Sequence, residues 1–372
     1  MVQVRVKISG AWWHPDHVDD IFHEAFRQAF TGKPGPVYIE YPQDFSAAVH
    51  AFGPLKQVEE YRLLQQSADA SSLERAVGLL REAEQPVLLI GNGVFVSRAQ
   101  QALNQLASTL QCPVITTPGA SSRLLDVLDL TAPYATPAAN DAISRADLVL
   151  AVGTEIGEQI HYGTGRHWSI GRTDRKWIYV ERDSTAFGVN RPIDVPLVGD
   201  LRDVVPQLQS LLSADKLPPR FPETYSRLLQ ETVTGLVAAA DAAPGGTPVH
   251  PVHMVQEVSK ALPENPVIIR DGGAICLWHI AFNTTASSDI HWSQNFGHLG
   301  TGIPHGIGAQ LAVGDKRRVI VISGDSAFQF HISELETAVR KNLQIVFIVG
   351  CAYAWGLEVK VYNVAFGDEA PY

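Results

Sequence analysis

The chain has 372 residues, 45% of them hydrophobic and 18% charged, which is material for two domains of ordinary size. A net charge of −10 without a long basic run argues against nucleic acid as a partner, and no apolar stretch or leader-like N-terminus points to a membrane. Cys112, Cys276 and Cys351 are far apart and lack CxxC spacing, so neither a disulfide framework nor a zinc site is supported, and a cytoplasmic setting is expected.

Residues 1–45 form a first segment. Val18, Ile21, Phe22, Ala25, Phe26 and Ala29 recur at helical spacing and give a helix with one apolar face. The helix should end near Gly32, and Lys33-Pro34-Gly35-Pro36 should turn the chain into a strand over residues 37–41. One helix and one strand cannot bury a core alone. Residues 46–70 read as a polar linker.

Residues 71–215 alternate helix and strand. A helix is predicted over 73–82 and strands over 86–90, 113–117, 147–153 and 177–180, closing at Val198-Gly199-Asp200 before another helix. This is the pattern of an α/β, doubly wound parallel sheet. Gly91-Asn92-Gly93 is read as a tight turn, since a lone G-x-G is weak support for a nucleotide phosphate. Residues 158–168, with two His and two aromatics, are read as a loop packed on the neighbouring domain; a ligand role is the alternative. Residues 216–248 read as a linker region, most plainly the Pro-, Gly- and Ala-rich residues 238–248.

The last segment, 249–372, opens with a helix over 252–262 and a strand over 267–270 that ends in Asp271-Gly272-Gly273-Ala274, where Asp271 is read as a helix cap. Two Val- and Ile-rich runs, 317–323 and 343–350, flank one helix and should be neighbouring parallel strands. Ligands of open α/β sheets bind beyond the carboxyl ends of the strands. There Asp325 stands beside Gly324, Ser326 and Ala327, whose N–H groups can face phosphate oxygens. One carboxylate at that place suits a diphosphate held through Mg²⁺, which takes one or two protein oxygens plus phosphate and water.

These residues resemble the thiamine-diphosphate (ThDP) enzymes of the acetolactate synthase, benzoylformate decarboxylase and oxalyl-CoA decarboxylase superfamily, whose signature is Gly-Asp-Gly followed further on by Asn-Asn. Gly324-Asp325-Ser326-Ala327-Phe328 is similar to the oxalyl-CoA decarboxylase and 2-hydroxyacyl-CoA lyase branch, and residues 333–343 to the acetolactate synthase branch. Residues 295–312 are similar to the family's glycine-rich segment beside the cofactor rings. GKPGPVYIEYPQD at residues 32–44 is similar to the last strand of its N-terminal, pyrimidine-binding domain.

The resemblance implies a central domain at 71–215, which binds FAD in some members, ADP in others and nothing in many, and a ThDP diphosphate-binding domain at 249–372, incomplete at its C-terminus. It makes residues 1–45 the tail of a pyrimidine-binding domain whose main part these residues do not contain. Gly273, Ala274, Gly324, Asp325, Ser326 and Ala327 would surround the diphosphate. The carbonyl of Gly297 would accept from the aminopyrimidine, Leu299 would be wedged beneath the cofactor, and His298 is a weak catalytic candidate. The metal ligands would be Asp325, position 352 and the backbone carbonyl of Ala354. Here the chain departs from the pattern: the two Asn fall on Cys351 and Ala352, and an alanine methyl cannot coordinate Mg²⁺, so weaker metal binding is expected. The activating glutamate belongs to the pyrimidine-binding domain, and Glu40 does not match its motif.

The activity so implied is that of an acetolactate synthase-like, ThDP- and Mg²⁺-dependent enzyme. It would decarboxylate a 2-oxo acid, or make or break a C–C bond next to a carbonyl through a thiazolium-bound carbanion. The alternatives are an acyl-CoA lyase of the 2-hydroxyacyl-CoA lyase or oxalyl-CoA decarboxylase type, a non-catalytic or regulatory paralogue, and one subunit of a split enzyme. A homodimer or homotetramer is expected, with a heteromer as the alternative, since the family clamps its cofactor between two chains.

Overall fold

A strand buried on both faces needs helices above and below it, and this chain supplies them in alternation. The computed structural model describes residues 9–10, 17–43, 49, 54, 56–121, 125–165, 167–169, 171–172, 174–283, 285, 287, 289–292 and 297–367. First come β1 (Ser9–Gly10), α1 (Val18–Phe30) and β2 (Tyr38–Ile39), the two strands pairing in parallel, and then the short α2 (Val58–Tyr61). The apolar stripe of α1 is only partly covered: Ala25 is buried, whereas Phe22, Phe26 and Phe30 are 42%, 51% and 46% exposed.

The central domain interleaves α3 (Ala70–Glu82), α4 (Gly93–Val96), α5 (Gln100–Leu110), α6 (Pro137–Arg145) and α7 (Leu201–Leu212) with β3 (Pro86–Ile90), β4 (Val114–Thr116), β5 (Thr131–Pro133), β6 (Leu148–Val152), β7 (Lys176–Glu181) and β8 (Val195–Val198). All six strands are parallel, in the order β5-β4-β3-β6-β7-β8. Side chains alternate across each strand. Leu88 and Ile90 therefore enter one core with Leu103, Leu106 and Val204, while Val87 and Leu89 enter the other with Ala139, Ile143 and Trp177. Local caps set the helix starts: Asp69 accepts from the N–H of Ser72, and Asp200 from that of Arg202.

The expected linker at 216–248 is corrected. Most of it belongs to the central domain, because α8 (Glu223–Asp241) packs on α6, and Tyr225, fully buried, donates its hydroxyl to the carbonyl of Leu130 at 2.7 Å. Ahead of it, buried Arg220 donates to the carbonyls of Leu80, Ala83 and Leu110, satisfying the open ends of α3 and α5. Composition marked the Ala-rich helix as linker; it is anchored by Tyr225 at its start and by Ala240, 3% exposed, within the Ala-rich part.

The third unit holds α9 (Pro251–Ala261), β9 (Val267–Arg270), α10 (Ala274–Phe282), β10 (Asp289–Trp292), α11 (Gly302–Val313), β11 (Val319–Gly324), α12 (Asp325–Gln329), α13 (Leu335–Arg340), β12 (Ile345–Gly350) and α14 (Gly356–Phe366). Its four parallel strands run β10-β9-β11-β12. β11 and β12 are the neighbours that the two apolar runs predicted, while β10 has no counterpart among the predicted strands. Both sheets reverse their strand order once, at β3/β6 and at β9/β11. No helix of the described residues is long and apolar enough to cross a membrane.

Candidate functional site

The carboxyl ends of β9 and β11 meet beneath a cleft of about 310 Å³, at the place where the strand order reverses. Backbone touches backbone there. The N–H of Gly324 donates to the carbonyl of Gly272 at 2.8 Å. Gly273 has φ +99, and a Cβ on it would stand 2.9 Å from the Cα of Gly324, so this contact needs glycine. α10 and α12 start from these two strand ends, and the first N–H groups of a helix have no partner within it. The floor of the cleft therefore offers small residues and backbone donors, the features that accept phosphate oxygens.

Of the residues singled out in the sequence, Gly273, Ala274, Leu299, Gly324, Asp325, Ser326, Ala327, Ala352 and Ala354 line this one cleft. Gly297 and His298 do not; both are exposed at the start of the loop that leads to Leu299. His305 is exposed on α11. The apolar wall was missed: Met254 on α9, with Ile275 and Trp278 on α10. Trp278 stands one helical turn beyond Ala274, a spacing that was available as a signal.

Asp325 ties the two strand ends together. Its Oδ1 accepts from the N–H of Ser326 at 2.8 Å, and its Oδ2 from the N–H groups of Ala352 at 3.0 Å and Tyr353 at 2.7 Å. Partial burial pushes the pKa of the carboxyl up, but the donations from Tyr353, Ser326 and Ala352 together outweigh it and leave the group below the usual range. Among the described residues, Asp325 and Glu358 are the only charged ones of the lining, and no Lys, Arg or His joins them. Ala352 brings a methyl group where the resemblance called for a ligand, and the carbonyl of Ala354 accepts from Gly356 N–H at 2.9 Å. Among the described residues no group of three or more His, Cys, Asp or Glu converges as a metal shell. The cradle fits a diphosphate; for a divalent cation it supplies one carboxylate and one carbonyl.

Asp271 does cap a helix, but not the one that follows it. Only 2% exposed, its carboxylate accepts from the N–H groups of Gly272 at 2.7 Å, Gly300 at 2.9 Å and Gly302 at 2.9 Å, the last being the first residue of α11.

A second cavity, of about 470 Å³, lies at the β3/β6 reversal and is lined by Asn92, Gly93, Gly153 and Arg182, with Trp292 of β10 on its rim. A Cβ on Gly93 would come 2.8 Å from the Cα of Gly153, so close strand ends account for this glycine. Residues 158–168, expected to pack on a neighbouring domain, pack on their own: the Trp168 indole donates to the carbonyl of Ile160 at 2.7 Å and its ring lies 5.0 Å from that of Trp177.

Residues 73–208 match the family described as "Thiamine pyrophosphate enzyme, central domain", and residues 271–368 match "Thiamine pyrophosphate enzyme, C-terminal TPP binding domain". Among individual relatives, the chain is 28% identical over 340 residues to the acetolactate synthase large subunit of Corynebacterium glutamicum, covering 89% of this chain and 53% of the relative. It is 26% identical over 352 residues to the acetolactate synthase of Arthrospira platensis, covering 90% and 58%. To human 2-hydroxyacyl-CoA lyase 1 it is 26% identical over 339 residues, covering 88% and 57%. The chain thus spans little more than half the length of these relatives.

Proposed function

This chain belongs to the thiamine-diphosphate enzymes, and from that premise we propose that it binds ThDP with Mg²⁺ in the β9/β11 cleft and acts on a 2-oxo acid in the manner of an acetolactate synthase. The observation that carries this reading is the convergence of Gly273, Ala274, Gly324, Asp325 and Ser326 on one cleft floor. The lining's charge argues for the cation. A diphosphate laid beside Asp325 and Glu358, with no basic side chain among the described residues of the lining, would need a positive ion between the two sets of oxygens. Asp325 and the carbonyl of Ala354 are the protein oxygens that would hold it, with phosphate and water completing the shell.

When bound, the cofactor supplies a thiazolium that serves as an electron sink for bonds next to a carbonyl. The chain's own part is to bind and orient. The backbone donors at the starts of α10 and α12 would take the diphosphate, and Leu299, Met254 and Trp278 form the apolar wall that would receive the rings. Full activity would also need the pyrimidine-binding domain and its glutamate, supplied by another region or by a partner chain. The exposed Phe22, Phe26 and Phe30 of α1 support a further packing partner, and a symmetric homodimer is the arrangement we favour.

Substrate consumption tests the reading. With ThDP and Mg²⁺, the natural full-length protein should consume pyruvate or another 2-oxo acid. Cleavage of 2-hydroxyacyl-CoA alone would favour the lyase alternative, and cofactor binding without turnover of either would favour a non-catalytic member.

A further inference from the structure

The loop that carries Leu299 is held from both sides by groups that do not themselves line the cleft. Gly300 is buried at φ +86, and a Cβ there would come 2.5 Å from that of Phe330, so the chain passes through a space that only glycine fits. Its N–H donates to Oδ1 of Asp271 at 2.9 Å, while its carbonyl accepts from Nδ1 of His331 at 2.7 Å. Because the carbonyl can only accept, His331 carries its hydrogen on Nδ1. Oδ2 of Asp271 takes the N–H of Gly302 at 2.9 Å; the hydroxyl of Ser323 lies 3.4 Å from it and 3.0 Å from the carbonyl of Gly324. Leu299 itself lies against Gly272, where a Cβ would overlap its Cδ2.

We propose that Asp271 and His331 are positioning residues: they clamp Gly300 and so fix how far Leu299 reaches into the cleft over β9. The inference rests on the reading of the cleft as a ThDP site and deepens it. Gly273, Gly324 and Ser326 would form the diphosphate floor, whereas the clamp acts on Leu299, which would face the organic rings. His331 follows α12, the helix that begins at Asp325, so the segment that holds the phosphate end also steadies the ring end. A buried carboxylate with three backbone N–H donors also has a high cost of removal, since each orphaned N–H would lose its partner in a dry site.

The clamp makes a demand that general destabilisation would not. Asp271→Asn and His331→Phe should each weaken ThDP binding, in excess Mg²⁺, by about tenfold or more. Binding of inorganic pyrophosphate, which has no rings, should change less than about twofold, and Asp325→Ala should weaken both ligands. Amide exchange at Gly300 and Gly302 should speed up in Asp271→Asn while the strands of the four-stranded sheet stay protected. His331 is exposed, so its variant keeps the test open if Asp271→Asn fails to fold. Equal losses for ThDP and pyrophosphate, or unchanged exchange at Gly300 and Gly302, would overturn the positioning role alone. An unaltered protein that binds pyrophosphate but not ThDP would overturn the cofactor reading along with it.

Discussion

The fully buried guanidinium of Arg270 donates its Nε–H to Nδ1 of His279 at 3.1 Å, so His279 carries its own hydrogen on Nε2. Among the described residues, neither that nitrogen nor Arg270 Nη1 or Nη2 has a hydrogen-bond partner. Burial, reinforced by the charge of Arg270, lowers the imidazole pKa to about 3. An unfolded His titrates near pH 6.5, so below that the unfolded chain binds a proton that the folded chain refuses. This contribution to stability is whole above about pH 6.5 and is lost as the pH falls toward about 3. At about pH 4.5 the loss from this one group is roughly 2–3 kcal/mol. Urea unfolding at pH 7 and 4.5 checks it: His279→Asn, which can still accept from Arg270, should show a shallower acid loss than the unaltered protein.

Ala352 is a gap that can be filled. Ala352→Asn restores a side-chain oxygen where the resemblance expects a metal ligand, and should tighten Mg²⁺-dependent ThDP binding by about 1–3 kcal/mol, the scale of a hydrogen bond to a charged group. Calorimetry at fixed Mg²⁺ reads the change. An unchanged affinity would mean that another oxygen already completes the shell.

Arg220 should prove structural. Its guanidinium holds the carbonyls of Leu80, Ala83 and Leu110, and Arg220→Met would leave buried acceptors without donors. A loss of about 2–4 kcal/mol in chemical unfolding is expected, far above what an arginine in a linker would give.

The exposed phenylalanines of α1 predict association. Phe22→Ser together with Phe26→Ser should lower the oligomeric state seen by light scattering while leaving the circular dichroism of the two parallel sheets unchanged. An unaltered association state would place the interface elsewhere.

Much of this was legible in the sequence because it is local. β3 and β9 occupy the residues that their apolar runs marked, and Gly324-Asp325-Ser326 stands at the end of β11 as the strand-to-helix break requires. What escaped depends on distant contacts. β10 has only Ile290 fully buried among its four residues, and its pairing with β9 is not written in its own composition. Asp271 was legible as a cap but not as the cap of α11, which starts 31 residues later. His298 looked placed for chemistry by its neighbours in sequence, yet the turn at Gly297, with φ +59, leaves it exposed and off the cleft lining.

Calorimetric titration of the protein with ThDP in the presence of Mg²⁺ tests the central claim most directly. Saturable binding that depends on Mg²⁺ and is lost in Asp325→Ala is the predicted result. Absence of ThDP binding by the unaltered, folded protein, or equal binding by Asp325→Ala, would contradict it.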